Sequence, residues 1–477
     1  MDPYDYFFSE VEDEAGVSLT DLAPNRTLYV DQFTDEPPLF EVQPWNPKSL
    51  KDVFEYYHPV KCVELEDENQ KMVSEVFVFA ALKDFEDEHL IAQSRLLSMQ
   101  MEKMEMLRSR LQQNDNTSNN ISLREQFINV ENTFRNNLQI LHDEVRKLEI
   151  TYRTLDSFFA NSGNIAEGSL TLMNVDKEEL KLFDSEDTLW VRRELSKYYE
   201  RLSLRKSYSL LVLPGYLGNS QNVRCWARIA YECKVMMVTD FEDCESFVDL
   251  MHQLINEELQ GADTILGNVV MTCNYFLGRK KSKFAKDDEA LFFPGSAALA
   301  GRMTNVKEIL ISHRVEELNH VSPHGITEIR FHLTEPQKKV LAKLGVVPIV
   351  VEAGKTMAYS NRTLYDGNCL VLQEYPFVRL FDWIGKVIQH FSNGEAFCNW
   401  NGIVRAKIRN RMHDFLIYHK GPGRLIESYF MEEIALDEYR DMHVSVGIKP
   451  FNAPKPFLLQ LTCHLSDWGM QWEQKVE

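Results

Sequence analysis

Three consecutive residues, Gly354, Lys355 and Thr356, have the types found at the end of a phosphate-binding P-loop. They follow an apolar run, Val346–Val351, which has the character of a buried strand. A P-loop also needs a glycine where this chain has Ile349, and it needs a helix after the threonine. The segment that follows Thr356 lacks a helical pattern. The sequence therefore predicts no nucleotide site here.

A second candidate is the loop 214–218, which follows an apolar strand and precedes a helical pattern. Asp240 and Asp243 come at the end of the next predicted strand, and ligands of α/β sheets bind at the carboxyl ends of strands. Gly215 and Gly218 form only a GxxG spacing, which is not the dinucleotide fingerprint. Two interpretations stay open. The loop is a plain strand-to-helix turn, or the chain is a cytosolic α/β enzyme that binds a phosphorylated ligand there.

A third candidate is a group of histidines and glutamates: His313, Glu316, Glu317, His320 and His324. Pro323 lies between His320 and His324, so these two do not share a helical face as a zinc pair would. The chain has no GxSxG elbow and no reactive-cysteine signature. The sequence therefore predicts no catalytic residue, no metal site and no cofactor.

A fourth candidate is a basic helix that carries a single acid, Asp414, against six bases: Arg405, Lys407, Arg409, Arg411, Lys420 and Arg424. It is interpreted either as a solvated helix face or as a surface that binds a complementary acidic protein. Nucleic acid is not the expected partner, because the whole chain is acidic and no aromatic stacking platform accompanies the bases.

The composition is that of a large globular protein. The 477 residues are 44% hydrophobic and 26% charged, with a net charge of −20, which disfavours attraction to nucleic acid or to an anionic membrane. The first residues have neither the basic nor the apolar part of a signal peptide. The apolar runs are far shorter than the roughly 20 residues of a membrane span. The eight cysteines include no CxxC pair. A cytosolic protein with reduced thiols is expected.

A β-α-β unit is predicted between residues 326 and 351. Its first strand is indicated by the apolar–polar alternation of residues 329–333. Thr334 and Gln337 form a capping box that starts the helix, and Gly345 supplies the left-handed position that ends it. The apolar run described above then forms a strand covered on both faces. This unit establishes an α/β core and no chemistry.

Four regions are predicted along the chain: an acidic arm, a long-helix region, an α/β core with α+β elements, and a C-terminal hairpin, at residues 1–75, 76–165, 166–440 and 441–477. Residues 1–40 carry ten acids and one base. This composition indicates a solvated tail, or an arm that becomes ordered on a partner, with a short strand at Thr27–Val30.

The long-helix region contains a heptad pattern that predicts a seam against a partner helix. Its residues are Phe127, Phe134, Leu138, Leu141, Val145, Leu148, Tyr152 and Leu155.

The C-terminal region shows two stretches of apolar–polar alternation, which predict a hairpin that needs further strands to be stable. The apolar residues are Met442, Val444, Val446, Ile448, Phe457, Leu459, Leu461, Cys463 and Leu465. Strands at the end of a chain are templates for pairing with another protomer.

From about residue 140 onward, the order of segments resembles the large subunit of the type VI secretion contractile sheath, the TssC/VipB family, in a divergent branch. LMNVDKEEL is similar to the family's LNVSKEEL and is the closest local match. LEITYRTLDSFF, NVVMTCNYFLGR, FFPGSAALAGRM and TEPQKKVLAKLGVVPIVV resemble further family segments in the same order. Residues 1–139 fit this pattern poorly, and SEVFVFAALKDFEDEHL looks more like the small sheath subunit.

The resemblance implies a sheath-protein-like core and a structural, non-enzymatic role. A heterodimer with a small TssB-like subunit would polymerise into a helical sheath around an inner tube of Hcp-like protein, attached to a baseplate. Contraction would propel the tube, and an AAA+ ATPase would recycle the contracted form. The terminal strands listed above would cross between protomers. The enzyme described above and a soluble coiled-coil adaptor remain alternatives.

Overall fold

The computed structural model describes residues 27–31, 39–41, 58–67, 70–78, ten positions between 96 and 110, 117–162, 170–175, 177–199, 208–279, 290–304, 315, 317–318, 328–393, 402–432, 434–436, 441–451, 453–466 and 469–477. Its helices with stated bounds are α1 Thr117–Ser162, α2 Glu186–Tyr199, α3 Ser220–Glu232, α4 Phe247–Glu257, α5 Ser296–Thr304, α6 Glu335–Lys343, α7 Tyr375–Asn393 and α8 Gly402–Tyr418.

The strands fall into two groups by position in the chain. Up to residue 279 they are β1 Thr27–Asp31, β2 Leu39–Glu41, β3 His58–Asp67, β4 Gln70–Val78, β5 Leu170–Asn174, β6 Leu210–Leu213, β7 Met236–Asp240, β8 Val269–Cys273 and β9 Phe276–Arg279. The later strands are β10 Leu291–Phe293, β11 Glu317–Leu318, β12 Val346–Glu352, β13 Lys355–Ala358, β14 Ile426–Met431, β15 Ala435–Leu436, β16 Met442–Pro450, β17 Phe457–Ser466 and β18 Gly469–Val476.

A nine-stranded sheet in the order β11-β13-β12-β8-β7-β6-β1-β5-β2 forms the core. The strands from β12 to β5 are parallel, and antiparallel strands stand at both edges. The order β5, β6, β7, β8, β12 advances in one direction across the sheet. With right-handed crossovers, successive connecting helices then lie on the same face.

The two faces of this sheet are covered by different helices. α2, α3, α4 and α6 cover one face and bury a cluster around Trp226 and Met237. α1, α5 and the start of α7 cover the other face, around Phe158 and Val238. Because both faces are covered, the central strands are apolar throughout, and β6 to β8 are fully buried. The predicted α/β core is confirmed.

The arm region contributes a strand to the middle of this sheet. β1 pairs in parallel with β5 through Leu28–Thr171 and with β6 through Leu28–Leu211. Leu28 and Tyr29 are fully buried. The predicted short strand is confirmed, whereas the interpretation of this stretch as part of a solvated tail is wrong, because both of its edges are hydrogen-bonded inside the core sheet.

A separate five-stranded sheet in the order β14-β16-β17-β18, with β15 also paired to β16, lies near the end of the chain. Its inner face packs on α7 and α8 in a third buried cluster around Phe381 and Phe415. The predicted hairpin, β16 with β17, is confirmed. It is stabilised by further strands on both sides and by two covering helices.

The predicted β-α-β unit is correct in its second half. α6 begins with the capping box, in which the Thr334 backbone N–H donates to Gln337 Oε1 at 2.8 Å, and Gly345 has φ +73°. The prediction of the first strand is wrong, because residues 329–333 form no strand and contribute only an isolated bridge between Ile329 and Phe276. The side chain of Asn274 replaces a strand partner there: its Nδ2 donates to the Phe331 carbonyl at 2.9 Å.

Candidate assembly surfaces

The carboxylate of Asp240 lies at the carboxyl end of β7 and is fully buried. It accepts hydrogen bonds from the backbone N–H groups of Gly215, Gly295 and Ser296, each at 2.9 Å. The hydroxyls of Thr272 and Ser296 donate to it as well. Burial raises the pKa of this carboxyl, and the hydrogen bonds oppose that shift. Asp240 therefore ties the 214–218 loop, β8 and the start of α5 together.

This geometry gives the enzyme alternative no support from Asp240. Both oxygens of Asp240 are occupied by the protein's own donors, so the carboxylate is not available to a ligand at the 214–218 loop. Asp243 lies nearby and forms an ion pair with Arg330 at 3.5 Å. Gly354 lies in the turn between the antiparallel strands β12 and β13, with φ +77°. The segment after Gly354 is therefore a strand and not the helix that a P-loop requires.

Metal binding has no candidate site in the described part of the chain, where no group of three or more His, Cys, Asp or Glu residues could hold an ion. Of the histidine and glutamate group, only Glu317 is described, in β11. His313, Glu316, His320 and His324 lie outside the described residues. Among the described helices, none combines the length and apolar character that a membrane crossing requires.

The predicted seam lies on α1, a helix of 46 residues. Phe127 and Leu155 are each 2% exposed within the single chain. This chain itself therefore covers both side chains. The side chains of Phe134, Leu138, Leu141, Val145, Leu148 and Tyr152 lie outside the described set, so a seam with a partner helix stays a prediction.

The small-residue helix α5 crosses the end of α1 at very close range. A Cβ atom added to Gly301 would collide with the carbonyl oxygen of Phe158 and would stand 3.0 Å from its carbonyl carbon. The missing Cβ atom of Gly301 therefore allows the two helix backbones to approach this closely.

The predicted assembly residues of β16 and β17 form the buried face of the C-terminal sheet. All except Leu465, whose side chain is outside the described set, are 6% exposed or less: Met442, Val444, Val446, Ile448, Phe457, Leu459, Leu461 and Cys463. Both strands are interior to the sheet. A strand from another protomer would therefore join an edge, β14 or β18, and not the hairpin itself.

The edge at β18 is covered by the core. Leu458 and Glu477 exchange both backbone hydrogen bonds, so in an antiparallel ladder the backbone groups of Gln474 and Val476 point away from β17. The Tyr231 hydroxyl donates to the Gln474 carbonyl at 3.3 Å, and the Cys369 thiol donates to the Val476 carbonyl at 3.5 Å. These contacts block strand addition along the end of β18.

The same strand is fastened to the core by a buried polar cluster that sequence reasoning missed. Asp382 in α7 accepts from Asn268 Nδ2 at 2.7 Å and from Gln474 Nε2 at 3.1 Å. Lys386 Nζ donates to the Tyr208 carbonyl at 2.7 Å, and burial lowers the pKa of Lys386 to about 8 although Asp382 opposes the shift. The only sequence signal was the presence of charged residues on an otherwise apolar helix.

The edge at β14 is open between Ser428 and Met431. Glu432 donates to Ser445 across the ladder, so the backbone groups of Tyr429 and Met431 point away from β16. No strand within the described part of the chain pairs with that side. The turn after α8 covers this edge only at Ile426, where the Gly421 N–H donates to its carbonyl at 3.0 Å.

The basic helix α8 has one buried apolar side and one exposed mixed side. The buried side packs on the C-terminal sheet and consists of Val404, Ile408, Met412, Phe415 and Leu416. The exposed side carries Ile403, Ala406, Asn410, Asp414 and Ile417. By helical periodicity, bases border this exposed side, with Arg405 and Arg409 on one flank and Lys407 and Arg411 on the other. Whether this face is solvated or binds an acidic protein surface stays a prediction.

Three solved structures of contractile assemblies are similar to this chain at low identity. The anti-feeding prophage baseplate structure is 15% identical over 63% of this chain and 77% of that chain, with a TM-score of 0.45. The anti-feeding prophage helical sheath in the contracted state is 16% identical over 63% of this chain and 79% of that chain, with a TM-score of 0.45. The PVC sheath complex of an extracellular contractile injection system, in the contracted state, is 16% identical over 64% of this chain and 77% of that chain, with a TM-score of 0.41. These TM-scores are below 0.5, so the family assignment does not rest on them.

No curated protein matches the chain. Two family models do. The model described as type VI secretion system TssC/VipB, central domain, matches residues 140–366, and the model described as TssC/VipB-like, C-terminal domain, matches residues 374–477. Together they span the core sheet from β5 onward and the whole C-terminal sheet. The chain belongs to the TssC/VipB family of the type VI secretion system.

Proposed function

We propose that the chain is the large structural subunit of a contractile type VI secretion sheath in the bacterial cytoplasm and is not an enzyme. It would pair with a small TssB-like subunit and polymerise around an inner tube of Hcp-like protein on a baseplate. An AAA+ ATPase would recycle the contracted form. The family match and the occupied carboxylate of Asp240 support the structural role.

The observation that carries this proposal furthest is the open edge of β14. A strand joined to this edge would connect neighbouring subunits through backbone hydrogen bonds, which depend little on side-chain identity. Such a link would persist while rigid subunits change their packing during contraction. The covered edge of β18 would keep the neighbour's strand on one side of the sheet.

Replacing Met431 by proline is expected to abolish polymers and to leave the heterodimer intact. Proline removes the outward N–H that a joining strand would use, and edge strands tolerate proline because that N–H is not needed within the subunit. Sheath polymers would be measured by pelleting and negative-stain electron microscopy, and the heterodimer by size-exclusion chromatography.

The matched control is Met431→Ala, which removes the same side chain and keeps the N–H. It is expected to lower the yield of polymer by less than about threefold. Polymers of normal length from the proline variant would show that no strand joins β14 at this position.

Reversing the charges of Arg405, Lys407 and Arg409 to glutamate is expected to weaken assembly in a salt-dependent manner. An attraction between α8 and an acidic surface is screened as the Debye length falls from roughly 10 Å at 0.1 M salt to roughly 3 Å at 1 M. The variant and the unsubstituted chain should therefore differ most at low salt and converge at high salt. A difference that is independent of salt would contradict an electrostatic contact.

A further inference from the structure

One flank of α8 is turned toward the open edge of β14. The Tyr429 hydroxyl and His413 Nδ1 share a hydrogen bond of 2.9 Å, and Lys420 Nζ lies 5.8 Å from the centre of the Tyr429 ring. On the opposite flank, Phe415 packs on Trp383 of α7. Phe415 follows His413 by two residues, which is about 200° around a helix. The flank with His413 therefore faces away from α7 and toward β14.

The two helices cover different strands on the inner side of the C-terminal sheet. Phe381 of α7 packs on Phe457 of β17, and Asp382 of α7 accepts from Gln474 of β18. α8 contacts β14, at the other end of the strand order. A flank of α8 that faces away from α7 therefore projects over the open edge.

The heights of residues in α8 and β14 can be matched, because the strand runs back along the helix. β14 begins where Ile426 and Lys420 form a bridge, and three residues later it reaches His413. Two strand residues advance about 6.6 Å, and four helical residues advance about 6 Å. Met431 is therefore level with Arg409, which precedes His413 by one turn on the same flank.

This flank of α8 carries positive charge. Arg405 and Arg409 lie one turn apart on it and are both exposed. With Lys420 they are called the basic flank below. Asp414, the only acid of α8, follows His413 by one residue and lies about 100° away from it around the helix. Bases therefore predominate above the inner side of the open edge.

The outer side of the same edge is aromatic and acidic. Phe430 is 50% exposed, and its ring lies over Gly447, where an added Cβ atom would collide with it. Glu427 is on this side and pairs with Lys449 at 2.9 Å. Glu432 follows Phe430 by two residues and belongs to the same side. Negative charge on a joining strand is therefore favoured on its inner side only.

Successive side chains of a joining strand point to opposite sides of the sheet. A residue opposite Met431 would lie below Arg409. A residue opposite Tyr429 would lie below Lys420, and the residue between these two would lie on Phe430. In strand addition, the main chain supplies affinity and the alternate side chains supply specificity. The edge therefore favours an acid, an apolar residue and an acid at three successive positions.

We propose that the strand that joins β14 has this pattern, with its acids toward α8 and its apolar residue on Phe430. The proposal rests on the proposed function, because it names the chemistry of the strand that links neighbouring subunits. It also explains why two copies of β14 would not pair with each other, since their basic flanks would then meet.

The test uses the full chain with its small subunit before assembly, and it measures the binding of two fluorescein-labelled probe peptides, EVEVEV and KVKVKV, by fluorescence polarisation. EVEVEV is expected to bind at least about tenfold more tightly than KVKVKV. The net charge of −20 attracts the basic peptide in general, so this preference reports on the basic flank. Met431→Pro, which removes an outward N–H of the edge, should abolish the binding of EVEVEV.

Arg409→Glu with Lys420→Glu is expected to reverse the preference, so that KVKVKV binds at least about tenfold more tightly. Arg409→Gln with Lys420→Gln should bring the two affinities within about threefold, which keeps the test decisive if the reversed variant does not fold. The matched control is Lys407→Glu with Arg411→Glu, which makes the same change of charge on the other flank of α8. It should leave the preference for EVEVEV unchanged within about threefold.

Equal binding of the two peptides by the unsubstituted complex would refute the acidic strand, as would a control variant that loses the preference completely. Tubes that form normally with Arg409→Glu and Lys420→Glu, but disappear with Met431→Pro, would also refute it and leave the proposed function standing. If the unsubstituted complex forms no tubes, the proposed function fails, whereas the peptides still report the chemistry that the edge prefers.

Discussion

Replacing Gly301 by alanine is expected to lower the free energy of unfolding by about 3 kcal/mol, near the upper end of the usual cost of overpacking. The added methyl group would collide with the backbone of Phe158, with the carbonyl carbon at 3.0 Å and the Cα atom at 3.1 Å. Since these are backbone atoms of a long helix, a rotamer change cannot relieve the contact. α1 and α5 must separate, which opens the cluster that covers one face of the core sheet.

Urea unfolding of the full chain would measure this loss, with Gly402→Ala as the control. Gly402 is also helical, and no atom lies within 4 Å of the Cβ position there. Alanine is expected to be neutral there or to stabilise by up to about 1 kcal/mol. Equal stabilities of the two variants would show that α1 and α5 do not touch at Gly301.

Replacing Asp240 by alanine is expected to destabilise the chain by about 4 kcal/mol, the range seen when one partner of a buried charged network is removed. The change leaves the N–H groups of Gly215, Gly295 and Ser296 and the hydroxyl of Thr272 buried without their acceptor. Water reaches this site poorly, so each unsatisfied donor costs free energy. The loop 214–218 and the start of α5 would lose their common anchor.

Asp243→Ala is the comparison that separates a structural carboxylate from a pair of catalytic ones. Its side chain is 36% exposed and its ion pair with Arg330 is partly solvated, so the expected loss is below about 1 kcal/mol. Both variants would be followed by thermal unfolding. Similar small losses for the two would contradict the anchoring role of Asp240.

The parts of the fold that the sequence predicted well are those with local physical causes. β12 was predictable because a strand covered on both faces is a continuous apolar run, and α6 because Thr334, Gln337 and Gly345 determine its ends. The core order β5-α2-β6-α3-β7-α4-β8 follows the alternation of short apolar runs and amphipathic stretches. Most of these segments also carry the family resemblance.

The parts that the sequence did not predict depend on contacts between distant residues. The position of β1 between β5 and β6 depends on partners more than 130 residues away along the chain, and its acidic surroundings suggested a tail. The false strand at 329–333 has the right alternation, but the Asn274 side chain takes the backbone hydrogen bonds of Phe331.

The candidate assembly surfaces were predicted as regions and not as geometry. The basic residues of α8 were identified, but the apolar side that this helix buries on the C-terminal sheet was not. The terminal hairpin was correctly found. Which edge of its sheet is free depends on Tyr231 and Cys369, whose contacts with β18 leave no trace in local sequence.

Negative-stain electron microscopy of the chain co-expressed with its small subunit tests most directly whether this TssC/VipB family member forms a sheath. We expect hollow tubes that pellet together with both subunits and that disappear with Met431→Pro. Discrete particles under all salt and protein concentrations tested, with both subunits folded and paired, would contradict it.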